Sequence, residues 1–295
     1  MPDTTLIAAI DAGGTSFKCA LVRLDGAIVK AWSVPTTAPD ETIAACAASF
    51  EEALQPLDAR PAALGIASFG PVEIDPTSPD YGTITGTAKP GWSDTALGPR
   101  LAAALECAFA LDTDVNAALA AELRWGAGQG MSSAAYMTVG TGIGVGVSLN
   151  GEQVGRPTHP EFGHIRVARH PQDLAFAGTC ALHGDCLEGL ASGTALLARW
   201  GDPRDLTADH LAWQIEAFYL AQACLNLYLA TRLDRIIIGG GVMNASHLLA
   251  SVQTAFDDLI ADYLPVSGAQ IICAPDLGAH AGVLGGAVLA LDLLN

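Results

Sequence analysis

The chain has 295 residues, 51% of them apolar, and carries 31 Asp and Glu against 14 Lys and Arg for a net charge of −17. That much apolar material excludes a disordered chain and predicts a large core divided between two lobes around a cleft. The negative field disfavours nucleic acid and anionic lipid as partners, while a nucleotide can still be held locally by backbone N–H groups, lysine and a divalent cation.

No basic segment opens the chain, and the apolar run 6–10 is too short to insert, so a cytoplasmic protein with no membrane partner is expected. Short β-branched runs predict strands over 6–10, 19–24, 63–67, 134–139, 144–149, 235–238 and 270–273. Alanine-rich segments with helical spacing predict helices over 41–54, 96–107, 116–125, 208–232 and 246–263. Alternation of the two makes an α/β protein. Segments 69–92 and 171–177, dense in Pro, Gly, Thr and Asp, read as long loops.

Two strand-turn-strand units resemble each other, one turning at Asp11-Ala-Gly13-Gly14-Thr15 and the other at Gly140-Thr141-Gly142-Ile-Gly144. This looks like a duplicated fold. Both turns present glycines and hydroxyls between apolar strands, where unhindered N–H groups can approach a polyphosphate. A third element runs from a strand into Gly239, Gly240 and Gly241, which allows a flat ring or ribose close to the main chain. None of these is a Walker A loop, since no Gly-Lys-Ser/Thr follows, and the turn at Gly140 joins strand to strand instead of opening a helix, which removes the dehydrogenase reading.

Of seven cysteines, five are scattered singly in apolar sequence, whereas Cys180 and Cys186 flank His183. With His164 they form a two-cysteine, two-histidine set able to converge on a tetrahedral Zn2+, with Glu161 and Glu188 held beside it. His170 is the main alternative ligand. Asp114 stands where the strand end 108–113 meets the helix beginning near Asn116, as an N-cap or as a carboxylate projecting into the cleft.

In order along the chain, Asp11-Ala-Gly-Gly-Thr15, Gly140-Thr-Gly-Ile-Gly144, Glu161-Phe-Gly-His164, Cys180…His183…Cys186-Leu-Glu188 and Gly239-Gly-Gly-Val242 resemble the ROK family of sugar kinases. The Cys-x-x-His-x-x-Cys spacing, Ser68-Phe-Gly-Pro71, Lys89-Pro-Gly-Trp92, Thr113-Asp-Val-Asn116 and Glu188-Gly-Leu-Ala-Ser-Gly193 are most similar to its bacterial fructokinases. The resemblance implies an actin-like or hexokinase-like (ribonuclease H-like) ATPase fold, with a small lobe of residues 1–116 plus 280–295 and a large lobe of 117–279 carrying the zinc segment 164–186. It also implies a homodimer.

The same resemblance implies roles. MgATP meets the turns at Asp11, Gly13, Gly14 and Thr15 and at Thr141 and Gly142, with Gly239, Gly240 and Gly241 near the nucleoside and Asp11 acting through Mg2+. Asp114 is the general base, and Asn116, Glu161, His164 and Glu188 contact the hexose. His164, Cys180, His183 and Cys186 hold zinc. Family members usually carry Asn-Asp where this chain has Thr113-Asp114. The implied reaction is transfer of the γ-phosphoryl group of ATP to fructose, with a glucokinase, mannokinase or broad hexokinase as alternative. A sugar sensor or repressor is the remote one, and the latter is opposed by the charge and by the lack of room before Asp11 for a DNA-binding domain.

Overall fold

A computed structural model describes residues 5–87 and 89–294. The chain divides into two compact units, the first comprising 1–129, 155–159 and 279–295 and the second 130–154 and 160–278.

The first unit opens with β1 (Leu6–Ala12), β2 (Ser16–Arg23) and β3 (Ile28–Pro35), an antiparallel meander. Helix α1 (Pro39–Leu54) leads to β4 (Pro61–Ser68), which pairs parallel to β1. The following loop is largely irregular, apart from β5 (Thr83–Ile84) pairing with β6 (Thr95–Ala96) ahead of α2 (Leu97–Leu105). Strand β7 (Ala108–Thr113) then joins β4 in parallel and feeds α3 (Asp114–Trp125). The sheet order is β3-β2-β1-β4-β7.

The second unit repeats the plan. Strands β8 (Ala134–Val139), β9 (Ile143–Leu149) and β10 (Glu152–Gln153) form a meander. Short helices α4 (Leu187–Ala191) and α5 (Gly193–Trp200) precede the long α6 (Leu211–Thr231), and β11 (Arg235–Gly239) pairs parallel to β8. Helix α7 (Leu248–Ile260) buries Leu248, Val252, Phe256 and Ile260, a four-residue spacing that lines one face. The unit closes with α8 (Gly268–Ile271) and β12 (Ile272–Cys273), giving sheet order β10-β9-β8-β11-β12. Each sheet is thus a three-stranded meander extended by two parallel strands, the duplicated ribonuclease H-like plan.

The final helix α9 (Ala281–Asp292) returns to the first unit and packs on α3, β4 and β1. It is buried on most sides, so its sequence is uniformly apolar and lacks the one-sided stripe that marks surface helices. Its first turn abuts the end of β1: a Cβ on Gly282 would stand 2.6 Å from the Asp11 carboxylate.

Three expectations need correction. The segment 270–273 begins as the last turn of α8, set by a capping box of Ser267 and Gln270, and is strand only over Ile272–Cys273. The division between units falls after Gln129 and not after 116, because α3 lies whole against α9. Residues 155–159, placed in the large lobe from sequence, belong to the first unit. Among the described residues, no helix is long and apolar enough to cross a membrane.

Candidate active site and metal centre

In the first unit the connection Gly13–Thr15 follows β1 directly. Gly13 N–H donates to Ser16 O at 3.1 Å, while Thr36 braces the turn through its N–H to Thr15 O (3.0 Å) and its hydroxyl to Gly13 O (2.8 Å). Gly14 and Thr15 are exposed, and the space a Gly14 side chain would occupy is open. Backbone donors at such a turn can receive phosphate oxygens. Asp11, the last polar residue of β1, is ion-paired with Lys18 at 3.3 Å.

Asp114 is the first residue of α3, but it is not the cap. Thr113 caps the helix, its hydroxyl accepting from Asn116 N–H at 3.4 Å, which among the described residues leaves the Asp114 carboxylate with only its own helix turn, Val115 N–H at 2.9 Å. Burial, and then the negative charge of Asp11, push the Asp114 carboxyl up to about 6. A carboxylate tuned to that value is basic enough to take a proton near neutral pH and is still largely ionised there. Asp112, its sequence neighbour, is spent structurally: it accepts from Thr113 N–H (2.7 Å), Asn116 Nδ2 (2.8 Å) and Arg156 (2.9 Å).

Asn116 itself is fully buried, its amide nitrogen holding Asp112. It positions the β7–α3 junction that presents Asp114, while its amide oxygen is buried with no hydrogen-bond partner among the described residues. Arg156 carried no signal in the sequence, because the partner it neutralises lies 44 positions away.

In the second unit the connection between β8 and β9 is Gly140–Gly142, closed by Gly140 N–H to Gly142 O at 2.9 Å. It is held from behind by the segment ending in Gly193. Glu188 Oε2 accepts Ile143 N–H at 3.0 Å, Gly193 N–H donates to Gly140 O at 2.7 Å, and Thr194 Oγ1 donates to Thr141 O at 2.7 Å. Thr141 is left exposed. The third glycine element leaves β11, where Gly239 is in register with Thr138, and turns at Gly240 with φ +98°.

His164, Cys180, His183 and Cys186 converge, with their ligand atoms all within 4.8 Å of one another. Nδ1 of His164 is 3.5 Å from Cys186 Sγ and 3.8 Å from Cys180 Sγ, and Nδ1 of His183 is 3.6 Å from Cys180 Sγ. Bond lengths of about 2.0–2.3 Å in a tetrahedral zinc site require ligand edges of roughly 3.3–3.8 Å, so these separations fit the ion. Burial, reinforced by the neighbouring Cys180 sulfur, raises the Cys186 thiol above its ordinary value, so thiolate forms there with a cation to balance it. The loop is drawn together by paired backbone bonds between Cys180 and Gly184, and by Arg166 on Asp185 and His183 O.

His170 stands outside this group: its Nδ1 accepts Gln172 N–H and its ring meets Phe218 edge-on. Glu161 is exposed at the start of the turn that carries His164, whose N–H bonds to Glu161 O at 3.0 Å.

Twin glycine turns on a duplicated sheet, a tuned aspartate and a Cys/His centre define a phosphotransferase of the actin-like ATPase class. The chain belongs to the ROK family, whose model matches residues 7–293. It is 41% identical to a fructokinase of Zymomonas mobilis, covering 99% of both chains, and 39% identical to a fructokinase of Pediococcus pentosaceus, covering 98% and 99%. Among solved structures it is similar to a ROK hexokinase of Thermus thermophilus (TM-score 0.78, 26% identity, 98% and 99% covered). It also matches a ROK glucokinase of Streptomyces griseus in complex with glucose and AMPPNP (TM-score 0.77, 25% identity, 97% and 99% covered).

Proposed function

We propose that the chain is an ATP-dependent kinase that phosphorylates fructose to fructose 6-phosphate. The observation that carries the substrate is the near-complete alignment, at 37–41% identity, with several fructokinases. In the first unit, the N–H groups of Gly14 and Thr15 receive terminal phosphate oxygens on a turn that Gly13 closes through its own N–H to Ser16 O, and Asp11 is the hard-oxygen ligand available to Mg2+. Bound Mg2+ supplies neutralisation of phosphate charge. Asp114 accepts the proton of the primary hydroxyl as that oxygen attacks the γ-phosphorus in line, with no covalent enzyme intermediate.

In the second unit, Thr141 and Gly142 offer further donors to phosphate, Gly239, Gly240 and Gly241 allow the nucleoside close to the main chain, and Glu161, His164 and Glu188 orient sugar hydroxyls. His164 presents Nδ1 to the two sulfurs, which leaves Nε2 for the sugar. Zn2+, held by His164, Cys180, His183 and Cys186, stabilises the loop that carries these groups. A coupled assay across fructose, glucose and mannose tests the assignment: kcat/KM is highest for fructose, and equal or better turnover of glucose or mannose would replace it with a broader hexokinase.

A further inference from the structure

Lys89 lies in the loop between β5 and β6, yet its ammonium reaches the phosphate turn of the same unit: Nζ donates to Gly14 O at 2.6 Å across 75 positions of sequence. The loop beneath it is fixed. Trp92 is fully buried, packs against Phe17 and Phe69 with ring centroids 5.5 Å away in each case, and donates its indole N–H to Thr37 O at 2.8 Å. Trp92 N–H in turn bonds to Lys89 O at 3.2 Å. Since Phe17 begins the strand that leaves the turn, Lys89 and Gly14 are mounted on one piece of core.

The charge at this turn is negative. Asp11 and Asp114 lie close enough for one to raise the pKa of the other, and Lys18 is already committed to Asp11. Lys89 differs: among the described residues its ammonium has no carboxylate partner, only the neutral carbonyl of Gly14 on the exposed turn. An ammonium gains on exchanging a neutral acceptor for an anionic phosphate oxygen, since hydrogen bonds between charged groups are the stronger ones.

We infer that Lys89 is a catalytic residue that leaves Gly14 O to bind the terminal phosphoryl group of a nucleoside triphosphate seated on the Asp11–Thr15 turn. It then follows that group during transfer, neutralising its three equatorial oxygens, and neither gains nor loses a proton. The inference rests on the kinase reading above and adds to it the cation that the turn itself lacks.

The test is titration of Lys89→Met and Lys89→Arg with ADP and with AMPPNP by calorimetry, beside steady-state kinetics with fructose. Lys89→Met is expected to lose AMPPNP affinity by at least about tenfold while ADP affinity stays within about twofold, because only AMPPNP carries the terminal phosphoryl group. Its kcat falls by about 100-fold with the KM for fructose little changed, and Lys89→Arg recovers part of both losses. Equal weakening of ADP and AMPPNP, or unchanged AMPPNP affinity in a folded variant, overturns the role. If Lys89→Met fails to fold, Lys89→Arg and Lys89→Gln carry the same comparison. Parent protein that phosphorylates no hexose would defeat the kinase reading separately, since the ADP and AMPPNP titrations need no turnover.

Discussion

Glu188 Oε2 accepts the N–H of Ile143 at 3.0 Å, which ties the helix that begins after Cys186 to the glycine turn between β8 and β9. The fit is close: a Cβ on Gly142 would stand 2.5 Å from the same oxygen. One carboxylate therefore supports the glycine turn, to which we assign a phosphate-binding role, and on the same proposal its other oxygen meets the sugar. Glu188→Gln keeps an acceptor for Ile143 and loses the charge, so it raises the KM for fructose by about tenfold and leaves the KM for ATP within about threefold. Glu188→Ala raises both. Identical effects of the two substitutions on both constants would separate Glu188 from the turn.

Asp114→Asn keeps the shape of the side chain and removes its basicity, and is expected to lower kcat by about 10²–10⁴ while fructose binding, followed by calorimetry, persists. The pH dependence follows from the raised carboxyl. Asp114 is a carboxylate above its pKa and a carboxylic acid below it, so kcat/KM falls on the acid side with a midpoint near about 6. Burial is the larger cause of that value and Asp11 the smaller. Asp11→Asn therefore shifts the acid limb of the residual activity downward without returning it to the ordinary carboxylate range. A limb that does not move would separate the two carboxylates.

The geometry of His164, Cys180, His183 and Cys186 predicts one zinc per chain by metal analysis. Removing it with a chelator, or by Cys186→Ser, leaves a buried thiol or hydroxyl without its cation and releases the loop, lowering the thermal midpoint by about 4–8 °C if about 2 kcal/mol is lost. His170→Ala leaves the stoichiometry at one, because His170 is engaged with Gln172 and Phe218. Full thermal stability in verified metal-free protein would show that the cluster closes without an ion.

Much of this was legible because it was local. The meander turns, the strand period, and the spacing of Cys180, His183 and Cys186 are short-range patterns, and the likeness of the two turns foretold the duplicated sheets. What was hidden depended on distance or on burial. Strand β3 is an edge strand with most of its side chains exposed, so its apolar signal is weak. Helix α9 has the opposite problem, apolar all round. Thr194, Arg156 and Lys89 act on partners 53, 44 and 75 positions away, and although Lys89 stands in a motif that carries the family resemblance, nothing in the local sequence of any of the three names its partner. Asn116 reads as polar beside Asp114, and only the closed β7–α3 junction reveals that its amide nitrogen is used internally, on Asp112.

Glu216 on α6 gives a stability test independent of catalysis. It is fully buried, and neither carboxylate oxygen has a hydrogen-bond partner among the described residues, while nearby Arg199 is paired with Asp173 at 2.5 Å and Asp173 also accepts from Tyr219 OH at 2.7 Å. Burial is the main cause that raises the Glu216 carboxyl well above its ordinary value of 4.5, with the Asp173 charge adding to it and Arg199 opposing it. The folded chain therefore keeps a proton that the unfolded chain releases above about 4.5. Stability on this account is greatest below that pH and declines as pH rises toward the folded pKa, by up to about 1.4 kcal/mol per pH unit. Glu216→Met removes the titration and retains helix-forming character. Its urea midpoint should lie near that of the parent at pH 5 and above it at pH 8. A gap that stays constant across that range would mean that Glu216 ionises in the folded protein as readily as in the unfolded one, and that the buried carboxyl is compensated by a partner.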